Sequence, residues 1–170
     1  MSETSRGTSR STAKSSTAPK PGAEHRRLEM FVGRWKVGGR QLESRVGPAA
    51  EIAGEERFEW VPGGFFLVHH FDSRVGNNQA ACVELTGYDA SAGKYTTHTY
   101  YNNGQSADWI MEERDGTWTL TGEWPAEGGT MQVRCTVEFA DEGNTRTGIW
   151  ESSTDGAGWE PFWDVKATRT

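Results

Sequence analysis

At 170 residues with a formal net charge of −6, the chain suits one domain with a sizeable core and lacks the basic surface that nucleic-acid binding needs. Its two cysteines, Cys82 and Cys135, are too few for a disulfide framework and lack metal-ligand spacing, so no metal site is expected. No apolar run approaches the length of a membrane span and no hydrophobic N-terminal stretch marks a secretory signal, so a soluble, reduced, cytoplasmic protein is expected.

Residues 1–22 hold no aliphatic or aromatic side chain after Met1 and carry Arg6, Arg10, Lys14 and Lys20 against Glu3 alone. A segment of this composition cannot bury enough surface to offset its ordering entropy, so it reads as a disordered basic tail. A transit peptide would share the Ser and Arg content but would also present an apolar face, which is missing here. Residues 23–170 then form a single domain.

Residues 23–32 place Leu28, Phe31 and Val32 on one face of a short helix. A helix of this length needs a surface to dock on, and covering an open barrel end supplies one. From Trp35 onward the pattern has period two, broken by turn residues at short intervals, as in an all-β barrel or sandwich. The clearest strands are 117–124, where Trp118, Leu120, Gly122 and Trp124 alternate with polar residues, and 130–139, where Met131, Val133, Cys135, Val137 and Phe139 do the same. Further strands are expected near 33–43, 51–61, 64–75, 79–88, 94–102, 106–113, 145–152 and 159–169. The links between them are short and rich in Gly, Asn and Asp, as at Gly76-Asn77-Asn78 and Asp115-Gly116. About ten such strands make an antiparallel up-and-down meander, and closing it into a barrel of roughly eight to ten strands removes its edges.

Alternation also assigns faces. Phe65, Leu67, His69 and Phe71 are expected inside; so are Ala81, Val83, Leu85 and Gly87, which turns Cys82 outward. Ala107, Trp109 and Met111 point in, as do Trp159, Trp163, Val165 and Ala167. Strand 94–102 does not resolve, because His98 and Tyr100 on one face compete with Tyr95, Thr97 and Tyr101 on the other. The lumen is therefore aromatic with a polar minority, either packed with its own side chains or open as a small-molecule site. Trp60, Phe65, Leu67, His69, Trp109, Trp118 and Trp124 are the expected ligand-contacting wall.

If a reaction takes place, His69 is the candidate acid/base, with Tyr100 and Glu56 as assistants. A histidine on an apolar face is more often a hydrogen-bonded core residue. Glu56 shares parity with Ile52, Phe58 and Trp60, which would make it an inward carboxylate, although a strand end or outward bulge is the commoner reason for such a placement. There is no G-x-S-x-G elbow, and Cys135 in mid-strand is expected to be inert.

Gly33-Arg34-Trp35 after a short helical entry resembles the G-x-W signature that opens the first strand of lipocalins and related calycin barrels. In those folds the Trp closes the barrel base and an Arg from the last strand packs across its ring. The resemblance therefore implies a structural closure made of Gly33, Trp35 and Arg169. Residues 58–69, Gly87-Tyr88-Asp89 followed by Gly93-Lys94-Tyr95, and Ser153-Thr154-Asp155-Gly156 with Trp159 and Arg169 are more specifically similar to a bacterial family of lipocalin-like domains with no assigned activity. That resemblance implies the fold and supplies no catalytic residues. It leaves three functions open: binding a small hydrophobic or amphipathic molecule, a cyclase- or isomerase-type enzyme using the lumen, and haem binding as in nitrobindin-type barrels. Apart from haem no cofactor is expected, and a homodimer is an open arrangement.

Overall fold

The structure is a computed structural model that describes residues 19–126 and 129–170. Most of the expected tail, residues 1–18, lies outside the described residues. The N-terminal segment forms a short helix α1 (Ala23–Arg27) that tightens into a 3₁₀ turn over Leu28–Phe31. Ten strands follow: β1 (Gly33–Gln41), β2 (Ala50–Trp60), β3 (Phe66–Val75), β4 (Asn78–Asp89), β5 (Lys94–Tyr101), β6 (Ser106–Arg114), β7 (Thr117–Ala126), β8 (Gly129–Ala140), β9 (Thr145–Ser153) and β10 (Glu160–Arg169). Each pairs antiparallel with its chain neighbours, and β1 pairs with β10, so the sheet closes as an all-β up-and-down barrel. No helix among the described residues is long and apolar enough to cross a membrane.

Local chemistry sets the links. Asp115 and Gly116 both take positive φ, 53° and 85°, which is the conformation a two-residue hairpin needs to match strand twist. They bring Arg114 opposite Thr117 and fix the β6–β7 register. At the opposite extreme of chain order, Gly33 has φ 130°, and a Cβ there would lie 2.7 Å from Arg169 Nη1. A bare backbone at this position lets the last strand's arginine reach the first strand.

The helical end is packed shut. Phe31 sits against Phe58, Trp118 and Phe139 at ring separations of 5.1–5.7 Å. Trp35 is buried beside them, donates its indole N–H to the Phe31 carbonyl at 2.8 Å, and carries the Arg169 guanidinium 4.3 Å above its ring. Arg169 also donates to the carbonyls of Val32, Met30 and Gly143. A second cluster toward the other end gathers Ala107, Trp109, Met131, Val133 and Phe162.

Two face assignments need correction, and a third that alternation left open is resolved. In β4 the inward residues are Cys82, Glu84 and Thr86, while Val83 and Leu85 lie exposed on the outer wall. Hydropathy alone misassigned this strand because its lumenal face is the polar one. In β5, Tyr95, Thr97, Thr99 and Tyr101 turn inward and leave Tyr100 exposed outside. Trp159 lies outside the lumen under the guanidinium of Arg134, because a bulge between Pro161 and Trp163 shifts the register of the strand that follows it.

Candidate functional site

The barrel encloses a cavity of about 920 Å³. It runs from the turn residues Asn102, Asn103 and Thr154 at one end to Leu28 and Phe31 under the helix at the other. β6–β10 contribute mainly apolar side chains, including Leu120, Trp124, Val137 and Trp150, whereas β2–β5 contribute Glu56, His69, Glu84, Thr86, Thr97 and Tyr101.

Register builds the polar cluster. His69 of β3 lies directly opposite Glu84 of β4, and Glu84 opposite Thr99 of β5. The His69 ring is stacked on Phe58, 3.8 Å away and within 3° of parallel, so its plane is fixed. Its Nδ1 meets Glu84 Oε2 at 2.6 Å, Thr99 donates to Glu84 Oε1 at 2.9 Å, and Trp109 donates to Thr99 at 3.0 Å. Burial raises the Glu84 carboxyl, but the His69 charge and the hydrogen bonds from His69 and Thr99 outweigh it. Its pKa therefore lies below the ordinary 4.5. With Glu84 ionised, the contact to His69 places a proton on Nδ1.

The second carboxylate, Glu56, is buried and ion-paired with Arg146 of β9. Arg146 itself sits 5.4 Å from the Trp35 ring and 5.3 Å from that of Phe58. Burial, with Arg169 nearby, lowers its pKa to about 10, which leaves it charged at neutral pH. His69 Nε2 faces Glu56 Oε2 at 3.4 Å. Both His69 Nε2 and Arg146 Nε are buried with no hydrogen-bond partner. Burial raises the thiols of Cys82 and Cys135, so both stay protonated and neither is an activated nucleophile. The chemistry on offer is hydrogen bonding and proton transfer. Among the described residues no group of three or more His, Cys, Asp or Glu is placed to hold a metal ion.

The sequence-predicted residues divide. Leu67, His69, Trp124 and Glu56 line the cavity. Trp60 does not: its indole donates to Glu29 beside the helix. Phe65 packs edge-on to His25 of α1, and Trp118 is buried between Phe31 and Tyr95 in the closed end. Trp109 is buried behind Thr99, where it acts on the polar cluster through its indole N–H. Tyr100 is 63% exposed on the outer wall, away from the cavity. Sequence reasoning missed Glu84, Thr99 and Arg146. Glu84 was findable from the β3–β4 turn, since a two-residue Gly76-Asn77 link sets inward His69 opposite it, and Thr99 then follows from the β4–β5 register.

The cluster sets the acid response. A carboxyl whose folded pKa is depressed contributes stability that is present above its unfolded value and lost as pH falls through the folded one. Glu84→Gln is therefore expected to flatten the stability profile below pH 4.5 relative to wild type, read from denaturant midpoints at successive pH values. An unchanged acid limb would show that Glu84 is not held ionised by its partners.

Among curated proteins none matches the chain. The crystal structure of Rv2717c from M. tuberculosis is similar to it over 88% of this chain and 98% of that one, with a TM-score of 0.61 and 12% identity. At that identity the likeness concerns the fold alone. The family model described as "Protein of unknown function (DUF1579)" matches residues 20–169, the whole barrel with its helical entry, and the chain belongs to that family.

Proposed function

We propose that this barrel binds a small amphipathic molecule in its lumen. The observation that carries the reading is a cavity of about 920 Å³, at the upper end of the size range of small-molecule sites, with a convergent polar cluster facing the largely apolar side chains of β6–β10. A barrel that simply filled itself with its own aromatics would leave no such space. Here Phe31, Trp35 and Trp118 pack the helical end and Trp109 the wall behind Thr99, while Trp124, Trp150 and Trp163 line the space that remains. Native mass spectrometry of the freshly purified protein, with intrinsic tryptophan fluorescence on adding candidate ligands, tests it. A bound small molecule with quenching of Trp124 and Trp150 is expected; no bound molecule and no response would count against it.

A second reading, an isomerase- or cyclase-type enzyme, draws on His69. One ring nitrogen is held by Glu84 and the other has no hydrogen bond, which is the arrangement of an acid/base oriented by a carboxylate. The same experiment separates the two, because a molecule recovered from the protein and incubated with fresh protein returns unchanged from a binder and converted from an enzyme.

Haem fits this lumen poorly. Among the described residues His69 is the histidine that lines the cavity, and both of its ring nitrogens face carboxylates, Glu84 on one side and Glu56 on the other. An iron ligated at Nε2, which has no hydrogen bond, would have to displace the Glu56 carboxylate 3.4 Å away.

A further inference from the structure

We propose, resting on the lumenal reading above, that the ligand is an uncharged, flat ring system carrying its polar groups along one edge, not a head-and-tail amphiphile. The lumen's polarity is divided lengthwise, not end from end. On β4 and β5 the polar strip passes through three successive levels: Tyr101 toward the mouth, Glu84 with Thr99 in the middle, and Thr86 with Thr97 toward the helix. Thr86 and Thr97 share a hydrogen bond of 2.7 Å. Five strands away around the ten-stranded barrel, β9 and β10 present Gly148, Trp150, Trp163 and Val165, and Arg146 of β9 lies toward the helix, where Glu56 neutralises it. A long acyl chain lying in this space would press its whole length against carboxylates and hydroxyls and strip them of solvent without replacing their hydrogen bonds. A ring with hydroxyl or carbonyl groups on one edge meets both walls at once.

Charge points the same way. Each lumenal carboxylate already has its partner, Glu84 in His69 and Thr99 and Glu56 in Arg146. At the mouth, Arg45 is paired with Glu160. Among the described residues no lumenal counter-charge is left over for an ionised ligand, so burying one would be costly. Neutral hydrogen-bonding capacity does remain. Tyr101 accepts from the Trp124 indole at 2.7 Å and still has its own proton to donate, and burial raises its pKa so that the proton stays on. The carboxylate oxygens of Glu84 have unused lone pairs. Trp124 and Trp150 both line the cavity and lie within 9° of parallel at 6.1 Å, too close to admit a ring between them, so a flat ligand is matched to the face of this stacked pair.

The test measures dissociation constants for 1-hydroxypyrene, pyrene and palmitate by calorimetry, with native mass spectrometry of the untreated protein alongside. The hydroxyl compound is expected to bind about three- to tenfold tighter than pyrene, the gain of one net hydrogen bond. It should also bind at least about tenfold tighter than palmitate, whose carboxylate would be buried unpaired. In Glu84→Gln, where a neutral amide replaces the charged acceptor, the preference for hydroxypyrene over pyrene should fall below about threefold. Palmitate binding as tightly as hydroxypyrene would overturn the ligand class and leave lumenal binding standing. So would equal affinity for the two pyrenes, or a preference untouched by Glu84→Gln. Failure of all three probes together with an empty native protein would remove the lumenal reading itself.

Discussion

Trp35→Ala is expected to lower the unfolding free energy by about 3–5 kcal/mol, the range for deleting a large buried aromatic. The ring is 1% exposed and occupies the closed end between the helical entry and the barrel, so its removal opens a cavity that the surrounding rings of Phe31, Phe58 and Phe139 cannot fill. Two further interactions go with it. The Phe31 carbonyl loses the indole donor, and the Arg169 guanidinium loses the ring face beneath it while keeping its three carbonyl contacts. Trp35→Phe separates these effects, because it retains a ring for Arg169 and much of the volume but deletes the N–H. It should cost clearly less than the alanine variant. Denaturant titration with an unchanged slope is the measurement; an alanine variant within about 1 kcal/mol of wild type would mean the end is closed by the helix without this ring.

Strand positions were legible because alternation and turn residues agree along most of the chain. All ten strand segments expected from period two correspond to strands, with boundaries displaced by only a few residues. The predicted helix over 23–32 divides into α1 and a 3₁₀ turn, since the chain must tighten to bring Phe31 down onto Trp118 before the strand starts. Face assignment was less secure, and β4 shows why. Its apolar residues Val83 and Leu85 face outward, so the rule that the apolar set points in reversed the strand and hid Glu84. Pairing is the better guide at such a place, since residues directly opposite in an antiparallel pair share a face. Inward His69 then requires inward Glu84, and inward Ala167 requires inward Arg146. The failure falls where the lumen is polar, and a buried polar strip departs from the pattern that hydropathy reads.

Arg146→Met carries the other large expected effect, a loss of about 3–5 kcal/mol, because it leaves the Glu56 carboxylate buried without its cation. His69 Nε2, 3.4 Å from Glu56, is positioned to take over part of that role, which places the effect toward the lower end of the range. The double variant Glu56→Leu with Arg146→Met removes both charges together. It is expected to recover to within about 1 kcal/mol of wild type or to exceed it, since replacing a buried ion pair with apolar residues of similar volume is often neutral or stabilising. The coupling between the two sites, taken from denaturant midpoints of the four proteins in the cycle, is the quantity to measure. If the double variant is as unstable as the sum of the singles, the pair does not act as a unit and the cluster needs a different description. If recovery is seen, stability does not depend on the pair, although Glu56 and Arg146 both line the cavity. Their consequence then lies in the lumen's polarity. The recovered double variant, folded but with a more apolar floor, should bind pyrene relatively better and lose preference for hydrogen-bonding ligands, which ties the Glu56–Arg146 ion pair to recognition.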